Sequence, residues 1–214
     1  MLVPDVETPV LSSDARHHLS RVRRLRDGDP VSVTDGRGRW RWCAFGDALS
    51  VEGPVVVDDR PEPWLTVAFA LVKGQRPELV VQKLTELGID EIIPFVADRS
   101  VVRWDDARRD RNTERLSTVA REAAQQSRRT WFPMVAPVAT YAEVAARPGA
   151  VRCDRGAPLL DDSHHLVLIG PEGGWGEAET ALSAVGLGPT VLRAETAAIA
   201  AATLMCAHRD GMSR

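Results

Sequence analysis

Long apolar runs are missing from this 214-residue chain. No stretch approaches the roughly 20 residues needed to span a bilayer, and the N-terminus lacks the basic-then-apolar pattern of a secretion signal. A membrane protein is therefore not expected, and the cytoplasm is the expected location. Cysteine is scarce: Cys43, Cys153 and Cys206 are odd in number and far apart, which suits neither a disulfide framework nor paired metal ligands. All three read as small buried hydrophobes, and no metal is expected. A Walker sequence, zinc-ligand spacings and a Gly-x-Ser-x-Gly elbow are absent too, which argues against the nucleotide, metal and hydrolase sites that each marks.

The remaining composition is that of an ordinary soluble protein, with 44% apolar and 27% charged residues. Its net charge of -3 hides an asymmetry. Between Arg16 and Trp42 eight arginines face only Asp27, Asp29 and Asp35, a local balance of +5 before His17 and His18 are counted. A concentrated basic segment in an otherwise acidic chain can be an electrostatic footprint for phosphate backbones, or a solvated surface.

Residues 1–62 contain short alternating segments separated by turn formers such as Arg26-Asp27-Gly28-Asp29-Pro30 and Thr34-Asp35-Gly36-Arg37-Gly38, a pattern that predicts a small β-barrel or sandwich. Within it Arg39-Trp40-Arg41-Trp42 alternates with period two. Tryptophans in the core and arginines in water are the expected arrangement, with a base-stacking platform as the alternative. The stiff segment Arg60-Pro61-Glu62-Pro63 marks a boundary, and residues 63–214 form the second expected domain. There the spacing predicts a strand over 65–72, a helix over 77–87 stopped by Gly88, a strand over 91–96, helices near 112–128 and 140–146, and strands near 134–138 and 150–153. Repeated strand–helix–strand units imply an α/β domain with a mainly parallel sheet.

The most informative stretch lies between His165 and Thr196. Leu166-Val167-Leu168-Ile169 runs into Gly170-Pro171-Glu172-Gly173-Gly174-Trp175-Gly176, and Thr190-Val191-Leu192-Arg193 runs into Ala194-Glu195-Thr196 and an Ala-rich helix. Each reads as strand, loop, helix, and the ends of such strands are where open α/β sheets bind ligands. Glycines remove the Cβ atoms that would hold a ligand off the backbone. A dinucleotide fingerprint fails on spacing: Glu172 follows Gly170 by two residues, and Glu179 stands where Gly174-x-Gly176 would call for a third glycine. A glutamate facing the ligand would repel a pyrophosphate. The loops suit a neutral or cationic ligand beside a carboxylate, and S-adenosylmethionine, with its sulfonium and amino groups, fits.

Leu168-Ile169-Gly170-Pro171-Glu172-Gly173-Gly174 and Leu187-Gly188-x-x-Val191-Leu192-Arg193-x-Glu195-Thr196-Ala197-Ala198 resemble the two signature loops of the RsmE family of SPOUT methyltransferases. The resemblance extends to His17-His18-Leu19 and Val22-x-Arg24-Leu25-Arg26-x-Gly28-Asp29, to Lys73-Gly74 with Gln82-Lys83-x-Thr85-Glu86-Leu87-Gly88, to Arg99-Ser100-Val101, and to Ala124-Gln125-Gln126-Ser127. It implies a C-terminal α/β trefoil-knot domain behind a PUA-like β-barrel, a homodimer, and methyl transfer from S-adenosylmethionine to N3 of one uridine in 16S ribosomal RNA of the small subunit. It assigns the cofactor to Leu168, Gly170, Pro171, Glu172, Gly173 and Gly174 of the first loop, and to Leu187, Gly188, Leu192, Arg193, Glu195 and Thr196 of the second.

Phosphate contacts are expected from Arg21, Arg24 and Arg26, then Arg16, His17 and His18. Arg193, or an arginine of the partner subunit, is the candidate for holding charge on the uracil oxygens; pairing with Glu195 or Glu172 is its simpler role. Glu172 can face the cofactor or cap the following helix, and Thr196 is the expected N-cap of the last helix. Thr190, Ala194 and Arg128 depart from the family, which usually has arginine, threonine and glycine there. The departures at Thr190 and Ala194 leave open a non-catalytic RNA-binding or ribosome-assembly protein; a separate alternative is a SPOUT enzyme that methylates another RNA atom, such as a ribose 2′-hydroxyl, although the amino-terminal barrel and the Leu192-Arg193-x-Glu195-Thr196 loop favour base N3.

Overall fold

The computed structural model describes residues 1–71, 76–102, 104 and 106–212. Lys73 and Gly74, one of the segments that carried the resemblance, lie outside them. The chain divides into two units, residues 1–61 with 124–132, and residues 62–123 with 133–214.

In the first unit β1 (Pro30–Thr34) pairs antiparallel with β2 (Arg39–Ala44), and the short strands β3 (Ser50–Val51) and β4 (Val56–Val57) add to β2. Val31 and Val33 of β1 point inward and join Val3, Val6, Leu11, Leu19, Cys43 and Phe45 in the core. Before β1 comes α1 (Ser13–His17), capped by the Ser12 hydroxyl, which accepts from Ala15 N at 3.1 Å, and then a π-helical turn over His18–Val22. The expected placement of the Arg-Trp repeat is reversed. Trp42 is 47% exposed, whereas the Arg41 side chain is only 11% exposed. The cause is register: Arg41 shares the inner face with Cys43. Its guanidinium is satisfied there by the carbonyls of Gly53 and Val6, at 3.0 and 3.2 Å. Trp40 is half-buried, and its Nε1 donates to Asp58 at 3.2 Å.

The segment 124–132 is an addition that the linear pattern does not reveal. Thr130 donates to Asp58 Oδ2 at 2.7 Å, Trp131 Nε1 donates to the Asp58 carbonyl at 3.0 Å, and Gly38 N donates to the Thr130 carbonyl at 3.0 Å. Gly38 has φ +90°, and a Cβ there would lie 2.5 Å from the Trp131 ring, so only glycine fits.

The second unit is built on one sheet whose pairings are all parallel: β5 (Thr66–Ala70), β6 (Glu91–Val96), β7 (Met134–Val135), β8 (Ala139–Thr140), β9 (Ala150–Cys153), β10 (Leu166–Ile169) and β11 (Ala184–Val185). The order is β11-β9-β10-β5-β6-β7, with β8 also against β6. β5 and β10 are buried along their whole length, as parallel strands covered on both faces must be. Val67 and Phe69 pack with α2 (Arg76–Leu87) and α5 (Ala194–Arg209) on one face; Ala68, Ala70 and Phe95 pack with α4 (Tyr141–Ala145) on the other. Ala198, Ala201 and Ala202 are fully buried, so the alanines of α5 let it lie close to α2 and β5. The longest helix, α3, spans Asp106–Gln126.

Two ion pairs fix the sheet's amino-terminal edge. Arg209 donates to Asp90 at 2.7 Å, with side chains 9% and 1% exposed, and Arg147 grips Glu91 through two bonds of 2.9 and 2.6 Å. Among the described residues no helix is long and apolar enough to cross a membrane.

Candidate active site

Ile169 ends β10, and the chain turns at once through Gly170-Pro171-Glu172-Gly173-Gly174. Gly174 adopts φ +73° and its N–H bonds to the Pro171 carbonyl at 2.9 Å, which closes the turn. A Cβ on Gly174 would meet nothing within 4 Å, so backbone conformation rather than crowding calls for glycine there. Gly170 is different: a Cβ would come within 2.9 Å of the Trp175 ring, which folds back over it. Trp175 lies parallel to Phe95 at 6.3 Å and donates through Nε1 to the Cys153 carbonyl at 2.8 Å, linking the loop to the end of β9. The Cys153 thiol beneath is pushed up to about 12 by burial and then by Asp154, which makes it inert.

Glu179 departs most from expectation. It does not face a ligand: it is 4% exposed, and its two carboxylate oxygens accept from Gly176 N at 2.7 Å and Asp98 N at 2.9 Å. A buried carboxylate thereby ties the loop after β6 to the loop after β10. Tyr141 donates to the Glu179 carbonyl at 2.8 Å, and burial followed by the Glu179 charge raises its hydroxyl above the usual phenol range. Arg99 reaches the Gly173 carbonyl at 3.3 Å. None of these supports was legible as such. Glu179 was visible only as an interruption of glycine spacing.

The strand before the second loop is β11 (Ala184–Val185), not the expected Thr190–Arg193, which is irregular. The loop leaves β11 through Gly186, whose N–H donates to the Pro158 carbonyl at 2.6 Å and where a Cβ would meet the Ala157 carbonyl at 2.5 Å. Gly188 has φ +126°. Leu187 packs against the core, Leu192 is half-buried, and Val191 and Arg193 are exposed. The last helix starts at Ala194 with Arg193 as its extended N-cap residue and no side-chain cap, which corrects the assignment of that role to Thr196: Thr196 lies inside the first turn and is exposed. The N-cap thus lies three residues earlier than expected, and the Ala194 methyl, 8% exposed, already belongs to the core.

Two carboxylates, Glu172 of the Gly-rich loop and Glu195 of the first turn of α5, converge on Arg76, the first residue of α2. Arg76 Nη1 lies 2.5 Å from Glu172 Oε1, and its Nε lies 3.7 Å from Glu195 Oε1. The pairing considered for Arg193 is thus not made: among the described residues it forms no ion pair, and Arg76 takes both acids. Leu168 is fully buried within β10, Pro171 is buried, and Glu172, Gly173 and Gly174 are exposed. Glu195 Oε2 is buried with no hydrogen-bond partner. One unsatisfied carboxylate oxygen, two acids against one arginine and bare glycine backbone make a donor set that fits a cationic ligand such as S-adenosylmethionine.

In the first unit His17, His18, Arg21, Arg24 and Arg26 are exposed on and just after α1 and the π turn. Arg16 is held back by a 2.6 Å bond to the Gly46 carbonyl. The departures also acquire meaning. Arg128 has φ +59°, the left-handed region that glycine adopts freely, and Thr190 is exposed.

A parallel α/β unit with a glycine-rich loop at a strand end, joined in one chain to a small β unit that carries the arginine-rich segment 16–42, is the architecture of RNA-modifying methyltransferases. Residues 60–206 match the family model described as "RNA methyltransferase domain", and residues 11–46 match "RNA methyltransferase PUA domain". "Ribosomal RNA small subunit methyltransferase E" of Mycobacterium bovis is 34% identical, with 90% of this chain and 83% of that protein covered. Its namesake from Bacillus subtilis is 30% identical, covering 91% and 88%. The crystal structure of a ribosomal RNA small subunit methyltransferase E from Neisseria gonorrhoeae, bound to S-adenosyl methionine, superposes with a TM-score of 0.79 at 27% identity, covering 91% of this chain and 89% of that one. The chain belongs to the ribosomal RNA small subunit methyltransferase E family, and its fold class is the expected one, a SPOUT α/β methyltransferase domain with a PUA-like β domain.

Proposed function

We propose that this protein transfers a methyl group from S-adenosylmethionine to N3 of a uridine in the 16S ribosomal RNA of the small subunit, acting on the assembled particle as a cytoplasmic homodimer. Family membership supports the reaction class. The observation that carries the site assignment is the convergence on Arg76 of Glu172 from the Gly-rich loop and Glu195 from the start of α5, with Glu195 Oε2 buried and without a hydrogen-bond partner. We assign RNA docking to residues 1–62 and chemistry to 63–214.

In this reading Leu168, Gly170, Pro171, Glu172, Gly173 and Gly174 hold the cofactor on one side, and Leu187, Gly188, Leu192, Glu195 and Thr196 on the other. S-adenosylmethionine, when bound, supplies an electrophilic methyl group. The protein's share is orientation and charge. Uracil N3 must lose its proton and keep its in-line approach, and holding reactants ~3–3.5 Å apart in that geometry supplies several kcal/mol. Arg193, exposed and without an ion pair among the described residues, is free to stabilise the developing charge on the uracil oxygens. Arg21, Arg24 and Arg26 hold phosphates, with Arg16, His17 and His18 beside them. The target base leaves its stack at a cost of a few kcal/mol.

The test is transfer of labelled methyl to small subunits lacking the modification, with naked RNA in parallel and the product nucleoside identified by mass spectrometry. N3-methyluridine is expected. A different methylated nucleoside, or no transfer despite cofactor and RNA binding, overturns the proposal.

A further inference from the structure

Arg76 contributes nothing to the core and sits on neither loop, yet it is the residue on which both loops converge. Its Nη1 meets Glu172 from the β10 loop at 2.5 Å; its Nε faces Glu195 from the start of α5 at 3.7 Å. The guanidinium is 39% exposed and Glu172 is 45% exposed, whereas Glu195 is only 14% exposed. A planar fork with several donors can serve two carboxylates at once, which a single ammonium does poorly. The backbone under Arg76 is anchored by α2, whose Pro77, Val80, Val81 and Leu84 are buried. α2 thus fixes the backbone at Arg76, whose guanidinium hydrogen-bonds Glu172 on the Gly-rich loop and pairs with Glu195 at the start of α5 by charge alone.

We infer that Arg76 is a positioning residue that couples the Gly-rich loop to the second loop and so sets the width of the cofactor cleft. Without it, Glu172 and Glu195 repel each other across the cleft and the loops separate. With it, the Glu195 charge is balanced by the guanidinium at 3.7 Å, and its Oε2 stays buried without a hydrogen-bond partner. The cofactor consequence rests on the proposed function; the coupling of the loops does not.

Two readouts on the full-length protein separate these. In hydrogen exchange without ligand, Glu172→Gln should accelerate amides of residues 186–193, although it lies on the other loop; in an Arg76→Gln background the same change should add nothing. In titration calorimetry Arg76→Gln should raise the S-adenosylmethionine dissociation constant roughly five-fold, near the upper end for a half-exposed ion pair. The Michaelis constant for the cofactor should rise more than turnover at saturation falls, and Arg76→Lys should recover only part of the loss. Unchanged exchange at 186–193 in Glu172→Gln overturns the coupling, and native cofactor affinity in Arg76→Gln overturns its role in the cleft. A wild-type protein that binds no S-adenosylmethionine removes the cofactor assignment, while the exchange result still decides the coupling.

Discussion

The indole N–H of Trp175 donates to the backbone carbonyl of Cys153 across 2.8 Å, joining the Gly-rich loop to the end of β9. The same ring covers Gly170 and stacks on Phe95, so one side chain sets the loop's exit from the sheet.

Trp175→Phe should keep the stacking and lose the hydrogen bond, destabilising the fold by about 1 kcal/mol in urea unfolding. Trp175→Ala should cost about 3 kcal/mol or more, because the ring's packing is also lost. Equal costs for the two would mean that the hydrogen bond, not the ring, orders the loop.

Gly174 is required for its φ of +73° rather than for room. Gly174→Val should destabilise by about 1–2 kcal/mol from backbone strain and abolish S-adenosylmethionine binding in titration calorimetry. Retained binding would count heavily against the pocket assignment.

Arg193→Ala should lower methylation at saturating substrates while leaving cofactor affinity within a few-fold, because its proposed work is on charge that develops in the transition state. Unchanged turnover would remove it from the mechanism.

Arg128 holds φ +59° where glycine is at ease. Arg128→Gly should therefore raise stability by about 0.5–1 kcal/mol, the left-handed penalty less the extra entropy of glycine in the unfolded chain. Thermal unfolding at fixed pH measures it; a lower melting temperature would show that the arginine side chain stabilises more than its backbone strains.

Arg21, Arg24 and Arg26 are exposed together. Replacing any one with alanine should weaken binding to all RNAs alike and reduce the salt dependence of log K by ~1. Arg16, bonded to the Gly46 carbonyl, should change the slope less. A slope unaltered by loss of Arg24 would make it a solvated charge.

Much was legible locally because it depends on near neighbours. Apolar runs at 66–70, 91–96 and 166–169 are buried parallel strands, Gly88 stops a helix with φ +114°, and the Gly-rich loop lies at the end of β10, whereas the strand expected over 190–193 is irregular chain and the strand before the second loop is β11. The helix boundary at 194 was misplaced because Thr196 is a good capping residue by type, whereas burial of Ala194 decided the matter. The Arg-Trp repeat was inverted for a related reason. Period two assigns residues to faces, but which face is inner depends on Cys43 and on carbonyls of Gly53 and Val6 that the pattern does not show.

The amino-acid sequence by itself determined the family, the parallel α/β class, the glycine-rich loops and the basic amino-terminal segment, since periodicity, turn chemistry and signature spacing are properties of short stretches. Only the tertiary structure decided that Glu179 turns inward to hold Asp98 and Gly176, that residues 124–132 join the first unit, and that Arg76 gathers Glu172 and Glu195. Apart from the local Gly176–Glu179 bond these are long-range contacts: Asp98 lies 81 positions from Glu179, and Arg76 lies 96 and 119 positions from Glu172 and Glu195. Their partners are chosen by how the strands order themselves in the sheet, and no local pattern of charge or polarity encodes that choice.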